Sequence, residues 1–202
     1  MSKRPNNGIT ELMKAASRGN LETAQALIGA GASVNEQDIF GHTALSYAVS
    51  ARHADVVLLL LNSGADAYLK NRNGKTVLDV AKTNGFADIS ALLKLSCLLL
   101  AARDGDAKRV KQLLADGADP DGSINDGWTA LMIATVNGHK EVAQSLVAHG
   151  VDLNARNANG WTAMMIAVRK GYGEIVEMLE EFEAKRTGRE EFLGETKLPG
   201  VN

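Results

Sequence analysis

The residue types capable of chemistry are few in this chain and are not placed to perform it. Four histidines are present, His42, His53, His139 and His149, and no two stand at a metal-ligand spacing. The one cysteine, Cys97, lies in an apolar run and reads as an inert buried thiol. Met13, Met132, Met164 and Met165 fall at helical core spacing, which suits packing between layers rather than a soft-metal site. The acidic stretch Asp116 to Asp126 resembles a calcium loop on the surface, but it lacks the central glycine in register and the closing glutamate. It reads instead as an acidic loop that favours basic partners. Neither a Walker-type nor a GxGxxG phosphate loop occurs, and no serine–histidine or carboxylate pair is placed for nucleophilic or acid–base work. No metal, no cofactor and no catalytic residue is expected, and the chain is expected not to be an enzyme.

The elements explain where the glycines go. In the stretch Asn125 to Asn157, Asp126-Gly127 is a turn and Thr129 is placed to cap a helix. Gly138 ends that short helix, and Gly150 ends a second one over Lys140 to Ala148. Helices of about eight residues are unstable alone in water, and one such unit is too small to fold without help. It must bury its apolar face on copies of itself. The copies are marked by Ala15, Ala48, Ala81, Ala101, Ala134 and Ala167, which step by 33, 33, 20, 33 and 33 residues. Turn glycines run in step with the alanines at Gly8, Gly41, Gly74, Gly127 and Gly160, the fourth unit having none.

Two positions break the pattern. Arg52 stands where the other copies close their first helix with glycine, and is read as a tolerated irregularity in preference to a functional arginine. The step of 20 removes the finger after the third unit, and Ala91 to Leu100 runs on without Gly or Pro. Either a minimal turn near Leu95-Ser96 or one fused helix fits. The turn is the favoured expectation, because a straight fused helix would expose leucines. Residues from Leu12 onward resemble those from Leu98 onward, so the chain reads as a duplicated three-unit block. The expected segments are a tail at 1–7, units one to three at 8–94, units four to six at 95–183, and a disordered tail at 184–202. The glutamates of the last helix are expected to give the stack a polar closing face.

Composition narrows the function classes. Of 202 residues 45% are hydrophobic and 4% aromatic, which suits thin layers of Ala and Leu. A net charge of −2 gives no electrostatic footprint for nucleic acid or an anionic membrane. A single cysteine suits a reducing compartment. The start lacks the apolar core of a secretory signal, and no stretch of 18 apolar residues exists. A cytoplasmic monomer is expected, with non-classical export still compatible.

A 33-residue turn–helix–helix period resembles the ankyrin repeat. That family's Thr-Pro-Leu-His motif has relaxed counterparts at Thr129-Ala130-Leu131-Met132 and Thr162-Ala163-Met164-Met165, and weaker ones at Thr10, Thr43 and Thr76. Proline and histidine are missing from every copy, and the relaxed form suggests a bacterial member. The resemblance implies an all-α helical solenoid with short β-hairpin-like fingers, its six units in two three-repeat blocks joined by a shortened connection. It also implies protein–protein binding on the fingertips and the inner face of the first helices. The matching fingertip positions are Ile39, Phe40 and His42; Arg72, Asn73 and Lys75; Asn125, Asp126 and Trp128; and Ala158, Asn159 and Trp161. Trp128 and Trp161 hold the same place one unit apart. They read either as exposed interface anchors or as rings lying flat on the neighbouring finger. An inhibitor or regulatory subunit of an enzyme, an exported host-directed effector, and an enzyme centred on the break near Cys97 are the competing functions.

Overall fold

The computed structural model describes residues 7–124 and 126–187. The expected tail residues 1–6, Asn125, and the expected tail from 188 onward lie outside the described residues. In order, the elements are α1 (Glu11–Arg18), α2 (Leu21–Gly29), α3 (Ala44–Ser50), α4 (Ala54–Asn62), α5 (Val77–Thr83), α6 (Ala87–Asp104) and α7 (Ala107–Ala115). Then follow β1 (Ser123–Ile124), β2 (Trp128–Thr129), α8 (Ala130–Val136), α9 (Lys140–Ala148), α10 (Ala163–Lys170) and α11 (Gly173–Thr187). The fold is an all-α helical repeat solenoid.

Threonine starts the first helix of each layer wherever a finger precedes it. The hydroxyls of Thr10, Thr43, Thr76, Thr129 and Thr162 accept from the backbone N–H groups of Met13, Ser46, Asp79, Met132 and Met165. Each satisfies one of the donors that a helix start leaves without an intrahelical partner. Stacking then buries what the short helices cannot bury alone.

The chain divides into two compact units, Met1–Cys97 and Leu98–Asn202. In the first, α1 packs on α3, α3 on α5, and α2 on α4. Its most buried side chains include Leu12, Met13, Leu45, Leu60, Leu61 and Leu93. In the second, α8 packs on α10, α7 on α9, and α9 on α11, around Leu98, Leu131, Met132, Leu146 and Leu179.

Each unit clamps its layers in the same way. His53 Nε2 lies 3.2 Å from the Ser17 carbonyl, so that its ring covers Gly19. His139 Nε2 lies 2.9 Å from the Arg103 carbonyl, with its ring over Gly105. A Cβ at Gly19 would stand 2.6 Å from His53 Nδ1, so glycine there provides room as well as its left-handed φ of 67°. Neither histidine caps its own helix. The first layer of each unit carries an ordinary cap at that position instead, Asn20 to the Thr23 N–H and Asp106 to the Arg109 N–H.

Arg52 adopts the left-handed φ of 59° that its glycine counterparts adopt. Its guanidinium lies 5.2 Å from the centre of the Phe86 ring, and Nη2 donates to Asp88 Oδ2 at 2.6 Å. The side chain thus occupies the ground that the ring of the next layer covers elsewhere.

The favoured turn at Leu95-Ser96 is not formed. Helix α6 runs unbroken through it. The leucine exposure expected of a fused helix does not arise. Leu93, Leu98 and Leu99 are buried, and Leu92, Leu95 and Leu100 are half-buried. The division between the units falls inside this helix, between Cys97 and Leu98 and not at Lys94. Helix α11 reaches Thr187, so residues 184–187 are helical where a disordered tail was expected.

The closing face of the second unit is also less polar than expected. The outer glutamates of α11 are exposed, but α10 presents Met165 and Val168 at 42% and 62% exposure. Their counterparts one layer earlier, Met132 and Thr135, are buried. On α5 in the first unit the same two positions are Asp79 and Lys82, both exposed. Met165 is therefore not a packing methionine.

Candidate partner-binding site

The fingers are built on side chains that accept from the backbone of their own turn. Asp38 Oδ1 accepts from the N–H groups of Phe40 and His42, both at 2.8 Å. Asn71 Oδ1 receives those of Asn73 and Lys75, and Asn157 Oδ1 those of Asn159 and Trp161. These are Asx turns, which tie the chain without a strand partner. The matching position in the remaining finger is Ile124, which has no such acceptor, and there the chain forms the antiparallel pair β1–β2. Adjacent fingers are joined through backbone. The Ile39 N–H donates to the Asn7 carbonyl at 3.0 Å, that of Arg72 to Phe40 at 2.9 Å, and that of Ala158 to Asp126 at 2.6 Å.

The sequence-predicted residues separate into one set per unit. In the first, Ile39 and Phe40 stand out at 42% and 50% exposure. Arg72, Asn73 and Lys75 are exposed and His42 is half-buried. The His42 ring lies between Phe40 and Tyr47, with centroids 6.2 and 6.1 Å away. Beneath them Asp38 is buried and accepts the Tyr47 hydroxyl at 2.9 Å. Burial alone would raise the Asp38 carboxyl. The hydrogen bonds from the His42 N–H, the Tyr47 hydroxyl and the Phe40 N–H outweigh it and hold the carboxyl below its ordinary value. Burial first, and then Asp38, push the Tyr47 hydroxyl up to about 12.

These shifts fix two opposite pH windows. A depressed carboxyl stabilises the fold above its unfolded value of about 3.9, and that stabilisation is lost as pH falls through the folded value. A raised phenol stabilises the fold below about 10, and that is lost as pH rises towards about 12. Asp38→Asn keeps the turn acceptor but not the charge. It is expected to lower stability by about 1 kcal/mol at pH 7, with the difference from the parent closing below about pH 3.9. Urea titrations followed by circular dichroism across pH 2–8 measure this. A difference that does not vary with pH would refute the assignment.

In the second unit, Asp126, Ala158 and Asn159 are exposed, whereas Trp128 and Trp161 are half-buried, between the exposed anchor and the flat-lying ring that the sequence allows. Both rings line one pocket of about 240 Å³. Asn159 lines it with them, so three sequence-predicted residues are brought together. Val136 and Ile166 add apolar surface, and Arg169 and Lys170, both exposed, add positive charge. The Arg169 guanidinium sits 5.0 Å from the centre of the Trp161 ring, a cation–π contact. Asn157 also lines the pocket, and its Nδ2 is buried without a hydrogen-bond partner among the described residues.

Sequence reasoning missed Asn157, Val136, Ile166, Arg169 and Lys170. The usable signal for Asn157 was its recurrence with Asp38 and Asn71. Arg169 and Lys170 are in the last turn of α10, where cations suit any helix end. Cys97 is buried, and the described residues hold no group of three or more His, Cys, Asp or Glu side chains able to bind a metal. No helix of the described residues is long and apolar enough to cross a membrane.

A family model of ankyrin repeats, in three copies, matches residues 6–97 and again residues 98–187. No curated protein matches the chain. Ankyrin repeats are protein–protein interaction modules.

Proposed function

The chain belongs to the ankyrin-repeat family, and from that premise we propose that it is a binding scaffold whose second unit grips a partner protein at the Trp128–Trp161 pocket. The observation that carries this reading is the convergence of two tryptophans from successive layers on one opening. Tryptophan supplies large contact area at little cost in side-chain freedom, and buried aromatic anchors dominate interface energies. Fingers and helices locked by Asx turns and caps are already ordered, so little freedom is lost on association. Asn159, on the pocket wall, supplies a polar contact beside the anchors. Ile39 and Phe40 give the first unit an apolar contact patch of its own.

The test is affinity capture from native lysate with crosslinking and mass spectrometry, comparing the parent with a Trp128→Ala/Trp161→Ala double variant. At about 2 kcal/mol per anchor, the double variant should bind the captured partner at least 100-fold more weakly while keeping its far-ultraviolet spectrum. A partner held equally by both proteins would refute the pocket as the gripping site.

A further inference from the structure

Resting on that reading of the pocket, we infer that its ligand is an acidic segment of the partner, an apolar side chain flanked by carboxylates. Asn157 is 5% exposed, and its Oδ1 receives two backbone N–H groups at 3.0 Å, from Asn159 and Trp161. Two donors on one atom fix that atom as the oxygen, so the unpaired atom is truly an NH₂ donor. The first unit shows how the fold can fill this place. There Asp38 makes the same turn, and its second oxygen takes the Tyr47 hydroxyl. The residue matching Tyr47 in the last layer is Ile166, which lines the pocket and offers no hydrogen bond. The donor is left for an acceptor that arrives with the ligand.

Charge selects the rest of the ligand. The titratable side chains lining the pocket are Arg169 and Lys170, with no carboxylate among them. Neither cation forms an ion pair among the described residues. An apolar side chain enters beside Trp128 and Trp161, its peptide carbonyl or a carboxylate oxygen accepts from Asn157, and the flanking carboxylates meet Arg169 and Lys170. A lysine or arginine anchor would face two like charges, and a wholly apolar segment would leave the Asn157 donor unpaired.

The experiment is selection from a displayed library of nonapeptides with a central leucine or phenylalanine and random flanks, using the full chain as bait. Aspartate and glutamate should be enriched at least threefold next to the anchor. A selected peptide should shift tryptophan emission on binding. Asn157→Asp exchanges the donor for an acceptor while keeping the turn that Asp38 makes, and should weaken that peptide at least tenfold. Arg169→Glu, an exposed position that does not test folding, should do the same. Neutral or basic selected peptides, no selection at all, or equal binding by both variants would overturn the inference. If these results occur while the double tryptophan variant still loses its lysate partner, the pocket stands as the gripping site and only the acidic ligand falls.

Discussion

Leu95→Pro is expected to destabilise the protein by about 3 kcal/mol or more, whereas Leu95→Ala costs far less. Leu95 lies in the interior of α6, eight residues beyond Ala87 and nine before Asp104. Proline there removes a helical hydrogen bond and drives its ring into the carbonyl one turn earlier. Had the chain turned at Leu95-Ser96, proline would be accommodated and the two variants would differ by less than about 1 kcal/mol. Denaturation followed by circular dichroism measures the difference. Trp128 and Trp161 both belong to the second unit, so their emission reports separately on that unit. Near-equal midpoints for Leu95→Pro and Leu95→Ala would refute a continuous α6.

Gly41→Ala is expected to cost about 3 kcal/mol, and Gly74→Ala about 1 kcal/mol. Both glycines are turn residues with similar left-handed geometry, φ 80° and φ 74°. The shared part of the cost is backbone strain, about 1–2 kcal/mol for a residue with a Cβ. They differ in what a Cβ would meet. At Gly41 it would stand 2.9 Å from the Asn71 Cα and 3.0 Å from the Arg72 N, both backbone atoms of the next finger. At Gly74 nothing lies within 4 Å. Backbone cannot swing aside as a side chain can, so the fingers must separate, and overpacking adds a further 1–3 kcal/mol. Hydrogen exchange offers a local reading. The Arg72 N–H, bonded to the Phe40 carbonyl at 2.9 Å, should lose protection in Gly41→Ala and keep it in Gly74→Ala. Equal costs for the two substitutions would remove the close approach from the account.

What could be read from the sequence is what each layer determines locally. Threonine at a helix start and glycine at a left-handed turn act within a few residues, so Thr129, Gly127 and their counterparts announce themselves. The register of the two tryptophans follows from the same step of 33. The course of Ala91 to Leu100 depended on a non-local quantity, the burial of its leucines, and the cost of exposure was assigned where no exposure occurs. A run without Gly or Pro was the better guide, since nothing in it stops a helix. Asn157 was hidden for a different reason. Its oxygen does the ordinary work of a turn, and only three-dimensional packing shows that Ile166 leaves its nitrogen unpaired. Arg52 shows the converse. Its misfit to the repeat was plain, while Phe86 and Asp88, which hold it, belong to the next layer.

The contrast between α5 and α10 bears on growth by duplication. A layer copied onto α5 would have to dehydrate Asp79 and Lys82, and selection would have to replace both before such an insertion became tolerable. A layer copied onto α10 would meet Met165 and Val168, side chains that need no replacement to become interior. At the first helix of the layer one block presents charge and the other carbon, so a copy added to the last layer would leave only the exposed glutamates of α11 to be replaced.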